Sequence, residues 1–208
     1  MTIRDDTIAD FLDSLAARTP APGGGATGAL HLGQAAALVS MVARYTTGKK
    51  YADHGLLVER ICSDADAVRE KSLQFADDDM AAFTAVIDAY RLPHGTDGES
   101  LSRTAAIATA LAGAAAVPAE VVVAAGEVVT LADTLLPVAN RTVVSDVAAA
   151  AEAARAAATT ARVNIEVNLP GITDADTRRS LTECLAVVDA IVERAEAVTT
   201  RVRKQLSS

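Results

Sequence analysis

The stretch Arg18-Thr19-Pro20-Ala21-Pro22-Gly23-Gly24-Gly25-Ala26-Thr27-Gly28 decides how the rest of this chain is read. Pro20 and Pro22 stop any helix arriving from the N-terminal side, while three successive glycines admit backbone approaches closed to other residues. An apolar, alanine-rich pattern with helical spacing follows at once, with Leu30, Gln34, Leu38, Met41 and Tyr45 on successive turns. The segment therefore reads as a shaped loop feeding the start of a central helix over residues 26–45. Unpaired amides and the positive end of the helix dipole make such a start a place for an anion or a ligand carbonyl. A tight turn at a close helix crossing accounts for the same residues equally well. The glycines are neither a dinucleotide fingerprint, which needs a preceding strand, nor a phosphate loop, since no Lys-Ser/Thr pair follows.

Outward from this stretch the chain reads as helix throughout. Residues 7–17 carry Ile8, Phe11, Leu12 and Leu15 on one face, a short amphipathic first helix. Thr46-Thr47-Gly48-Lys49-Lys50-Tyr51 breaks the central helix, and the two lysines suit a solvated helix end. Residues 52–90 keep a helical stripe through Leu57, Ile61, Val68, Phe75, Phe83 and Tyr90, as one rod or as two helices bending at Asp77-Asp78-Asp79. Three adjacent carboxylates repel one another and favour a helix cap. Leu92-Pro93-His94-Gly95-Thr96-Asp97-Gly98 is a loop, and residues 101–136 resume helix with Pro118 starting or kinking its second half. The apolar region 105–125 reads as a helix buried on most sides rather than a membrane span, because Pro118 and Glu120 interrupt it and no aromatic belt flanks it. Residues 140–163 are alanine-rich, 164–170 alternate but have no strand to pair with, and one long amphipathic helix starting near Thr173 ends the chain. The expected fold is an all-α, elongated multi-helix bundle forming one domain over residues 1–208.

Composition narrows the function. The 208 residues are half hydrophobic, yet only three Phe, three Tyr and no Trp are present, so alanine and valine must build the core through close helix approach. A net charge of −8 argues against a nucleic-acid backbone as partner. Cys62 and Cys184 lie far apart within helical patterns, as two reduced, buried thiols rather than a metal site. The N-terminal residues lack a secretory pattern, and a cytoplasmic location is expected. No His/Cys/Asp cluster has metal-ligand spacing. His31 lies one turn into the central helix and an imidazole is suited in general to proton transfer, which makes it a catalytic candidate, although a lone helical histidine is more often hydrogen-bonded or solvated.

Four stretches taken in order resemble the cyclodeaminase/cyclohydrolase family that acts on one-carbon derivatives of tetrahydrofolate. They are residues 11–25 ending in the glycines, Gly48-Lys49-Lys50-Tyr51, Asp79 with Ala82-Phe83 and Tyr90-Arg91-Leu92-Pro93, and Asn140 with Ser145-Asp146-Val147 and then Asn164-Ile165-Glu166-Val167-Asn168-Leu169. The resemblance implies a helical homodimer that binds folate in a cleft near the glycine loop. It implies an enzyme hydrolysing 5,10-methenyltetrahydrofolate to 10-formyltetrahydrofolate, or closing 5-formiminotetrahydrofolate with release of ammonia; a non-catalytic folate-binding or scaffold dimer is the reading from another class. No cofactor beyond the tetrahydrofolate substrate is expected, and no metal, nucleic acid or membrane. On this resemblance Asp146 or Asp79 stabilises the cationic carbon and relays protons. Asn140, Ser145 and Asn164 orient the pterin or the attacking group. Pro22, Gly23, Gly24 and Gly25 admit the ring, and Lys49 and Lys50 meet the carboxylates of a glutamate tail of variable length.

Overall fold

The computed structural model describes residues 2–207, and among these it contains helices and loops and no strand. Seven α-helices run α1 (Ile8–Ala16), α2 (Gly24–Tyr45), α3 (Gly55–Tyr90), α4 (Asp97–Leu135), α5 (Val144–Asn168), α6 (Ala175–Ala186) and α7 (Val188–Leu206). They form the elongated all-α bundle that the apolar spacing predicts.

Helix α2 is the central member and packs against α3, α4 and α5. Its low side-chain bulk allows this: Ala29, Ala35, Ala36 and Ala43 are at most 1% exposed, so neighbouring backbones approach closely. Both main neighbours run antiparallel to it. Gly25 meets Asp79 and Gly33 meets Ser72 on α3, while Gly24 meets Asn164 and Gly28 meets Thr160 on α5. At Gly28 an added Cβ would lie 3.2 Å from Thr160 Cγ2, which makes this glycine part of the helix crossing. Helices α4 and α7 close the bundle on α5, and the core runs unbroken from Ile3 to Val202.

Several local expectations change. The glycine run is partly helical, since α2 begins at Gly24 with Gly23 as its N-cap. Asp77, Asp78 and Asp79 cap nothing on their own helix; they lie within the continuous 36-residue α3. Their partners explain why: Asp77 Oδ1 accepts the Ile3 backbone N–H at 2.9 Å, Asp78 Oδ1 accepts from Gln74 Nε2 at 2.8 Å, and Asp79 reaches α2. Pro118 neither starts nor ends a helix and lies buried inside α4. The final helix divides at Val187, because Val187 N–H bonds back to Cys184 O at 3.4 Å and the chain turns before α7.

The region 105–125 is less buried than its composition suggests. No residue of α4 before Leu111 is buried, and Leu101 is 75% exposed. By length and composition α2 and α4 could each cross a bilayer, but α2 is a core helix of the bundle. Cys62 and Cys184 are free thiols, each partly rather than fully buried.

Candidate active site

The glycine-led start of α2 meets the middle of α3 in a tight corner. Gly23 has no side chain with which to cap α2, and the Asp79 carboxylate accepts the Ala26 N–H in its place. The approach requires glycine at position 25: a Cβ there would lie 1.8 Å from Asp79 Oδ1. The amides of the first turn, the positive dipole end and a half-buried carboxyl thus share one spot. Burial raises the proton affinity of Asp79 above the ordinary carboxylate range, and the Ala26 N–H opposes that rise only in part.

Asn164 on α5 closes the corner from the other side. Its Nδ2 lies 3.9 Å from where a Gly24 Cβ would stand, and it donates to Thr160 O at 2.9 Å. One turn further, Asn168 Nδ2 donates to Asn164 O at 2.8 Å. Pro22 and Gly23 are partly buried as they lead the chain into this corner. A carboxyl able to exchange a proton, helix-start amides and an amide side chain are therefore together.

The remaining sequence candidates, His31 excepted, gather at the opposite end of α2. Twenty-two residues separate the two ends, about 33 Å of helix. There Asn140 Nδ2 donates to Tyr45 O at 2.8 Å and the Asn140 backbone N–H to Thr46 Oγ1 at 3.0 Å. Asn140 Oδ1 accepts from Thr142 N–H at 3.1 Å, so most of this side chain's hydrogen-bonding capacity holds the chain together. Ser145 and Asp146 lie in the first turn of α5, Ser145 exposed and Asp146 half-buried. Gly48, at φ 92°, turns the chain into the exposed Lys49 and Lys50, and Lys50 Nζ lies 5.3 Å from the centre of the Tyr51 ring.

A groove of about 590 Å³ opens at this end, lined among others by Arg44, Thr47, Gly48, Tyr51, Cys62 and Asp66. The sequence reading missed its charged pair. Arg44 Nη2 bonds Asp66 Oδ2 at 2.5 Å, and the buried Ser40 donates to Asp66 Oδ1 at 2.7 Å while accepting from Arg44 Nη1. The Arg44 and Ser40 hydrogen bonds hold the Asp66 carboxyl below its usual range. The available signal was Ser40 and Arg44 four apart in the largely apolar second half of the helix.

His31 faces neither end. It lines a groove of about 450 Å³ beneath α1, beside Phe11, Leu12, Leu15 and Leu30. Among the described residues, no group of three or more His, Cys, Asp or Glu is placed to hold a metal ion.

Comparison with known proteins agrees with this fold. Residues 7–186 match the formiminotransferase-cyclodeaminase family, and the chain belongs to that family. It is 35% identical over 205 residues to the methenyltetrahydrofolate cyclohydrolase of Methylorubrum extorquens, covering 98% of this chain and 97% of that one. The rat formimidoyltransferase-cyclodeaminase is 30% identical over 174 residues, 83% of this chain but only 32% of the rat protein. The crystal structure of formiminotetrahydrofolate cyclodeaminase from Thermotoga maritima superposes with a TM-score of 0.86 at 29% identity, covering 99% of this chain and all of that one.

Proposed function

We propose that this chain hydrolyses 5,10-methenyltetrahydrofolate to 10-formyltetrahydrofolate at the corner between Gly25 and Asp79. The chain is an enzyme of tetrahydrofolate one-carbon chemistry, and identity over nearly the full length of a cyclohydrolase carries the choice of reaction. The substrate's reactive carbon lies between two nitrogens and bears positive charge. The Asp79 carboxylate attracts that charge and takes a proton from water as the oxygen adds to the carbon. It returns the proton to the ring nitrogen as the carbon–nitrogen bond opens, and the hydroxyl on the carbon releases its own proton to solvent as the carbonyl forms, leaving the formyl group on the other nitrogen. A raised proton affinity suits both halves of this exchange, since base and acid forms are then closer in energy near neutral pH.

The distant lysines enter through a second copy of the chain. A two-fold interface is self-complementary, so a partner lying antiparallel along α2 brings its Lys49 and Lys50 end to this chain's glycine corner. Exposed apolar side chains support such a partner: Val163 and Val167, which flank Asn164 in sequence, are 61% and 72% exposed, and Ile8 is 81% exposed. In this arrangement Lys49 and Lys50 meet the glutamate carboxylates of the substrate, and Asn140, Ser145 and Asp146 approach the corner from across the interface.

The likeness to the Thermotoga maritima cyclodeaminase favours a second reading, in which N10 attacks the formimino carbon and ammonia leaves. Purified protein supplied separately with 5,10-methenyltetrahydrofolate and 5-formiminotetrahydrofolate separates the two. The expected result is loss of methenyl absorbance without ammonia. Ammonia release with a rise in methenyl absorbance from the formimino compound establishes the second reading, and turnover of neither overturns both.

A further inference from the structure

The stripe of α3 that packs on α2 does not stop where α2 stops. Ser72 and Ala76 on this stripe are fully buried and Asp79 reaches Gly25, yet the same face continues for a further turn as Phe83, which is 44% exposed. Helix α2 begins at Gly24, opposite Asp79, so no part of α2 lies across from Phe83. The chain has three phenylalanines, and the other two, Phe11 and Phe75, are buried in the core at 8% and 4% exposure. A partly exposed benzyl ring forgoes some of the burial that stabilises the other two, and this one is four residues, about 6 Å along the helix axis, from the acid.

We propose that Phe83 is the platform on which the flat ring system of the folate substrate stacks, so that the carbon flanked by two nitrogens falls at Asp79. Residues four apart share a helix face, so a ring stacked on Phe83 has the Asp79 carboxyl as its neighbour one turn along α3. The apolar ring of Phe83 supplies area and a π face while Asp79 supplies charge, a division suited to a substrate that is aromatic around a cationic carbon. This inference rests on the reading that Asp79 marks the reacting centre.

The test is steady-state kinetics of Phe83→Ala and Phe83→Tyr beside Asp79→Asn, with folding followed by circular dichroism and mass by light scattering. Because Phe83 is exposed, the Ala variant is expected to fold, to raise KM about tenfold and to change kcat by less than about twofold. The Tyr variant keeps the π face and restores KM. An unchanged KM in Phe83→Ala, or an altered assembly mass that alone accounts for lost activity, overturns the platform. If Asp79→Asn abolishes turnover while Phe83→Ala keeps its KM, only the platform fails; if Asp79→Asn turns over normally, the reading of the corner fails with it.

Discussion

Asp79 acts both as a capping group for α2 and as an acid in the proposed site, and the two roles pull its protonation in opposite directions. The Ala26 N–H favours the charged carboxylate, and burial, the stronger influence, favours the neutral acid. A carboxyl that holds its proton more tightly in the folded than in the unfolded chain makes stability fall as pH rises from the unfolded value through the folded one. Above both values the buried charge is a standing cost. Asp79→Asn keeps an oxygen for Ala26 and removes that charge, so it is expected to abolish turnover while raising Tm at pH 7. Solvent screening at this half-buried position limits the gain to under about 1 kcal/mol, or roughly 2–4 °C. Melting curves across pH check it: the gain should vanish at acid pH, where wild-type Asp79 is protonated. The sequence made Asp79 a candidate by resemblance, but its setting was illegible there. Three adjacent aspartates look like a cap because the groups that satisfy Asp77 and Asp79, Ile3 and the start of α2, are more than fifty residues away along the chain.

At the scale of elements, the antiparallel seam of α2 and α3 sets the corner, and two neighbouring glycines test it in opposite ways. An alanine methyl at position 25 would meet Asp79 Oδ1 at 1.8 Å and Cγ at 2.3 Å, so the carboxyl must swing away. Gly25→Ala is expected to remain helical, because alanine favours helix, and to lose about a hundredfold in kcat/KM through misplacement of the acid. Gly24→Ala makes only an ordinary contact at 3.9 Å with Asn164 Nδ2 and should keep both activity and fold. Parallel kinetics and circular dichroism on the two variants check the contrast. The long helices were legible because their apolar residues recur at helical spacing over many turns. The division at Val187 was not: Leu181, Leu185, Val188 and Val192 keep helical steps straight through it. The exposure of the first half of α4 was equally hidden, because small apolar residues read as buried whatever covers them.

For the whole molecule, the decisive dimension is the length of α2, which holds the glycine corner and the lysine pair about 33 Å apart within one chain. The four sequence matches gave no hint of that separation, since nearness in a motif list says nothing about which end of an antiparallel pair each residue occupies. If each site draws on two copies, mixing Asp79→Asn protein with a Lys49→Ala/Lys50→Ala double variant, after exchange of subunits, regenerates one intact site in every mixed dimer. Random pairing should then restore about a quarter of wild-type kcat/KM from two impaired parents. No recovery on mixing, with exchange confirmed by mass, places the whole site within one chain. The tri-aspartate run adds a further tie across this length. Turning about 100° per residue, its carboxylates address three different clients: the N-terminal arm through Ile3, the helix's own flank through Gln74, and the proposed reaction centre. Ile3 is therefore moored two residues along α3 from the proposed acid, so the seat of the N-terminal arm and the position of the acid are fixed by one stretch of a single helix.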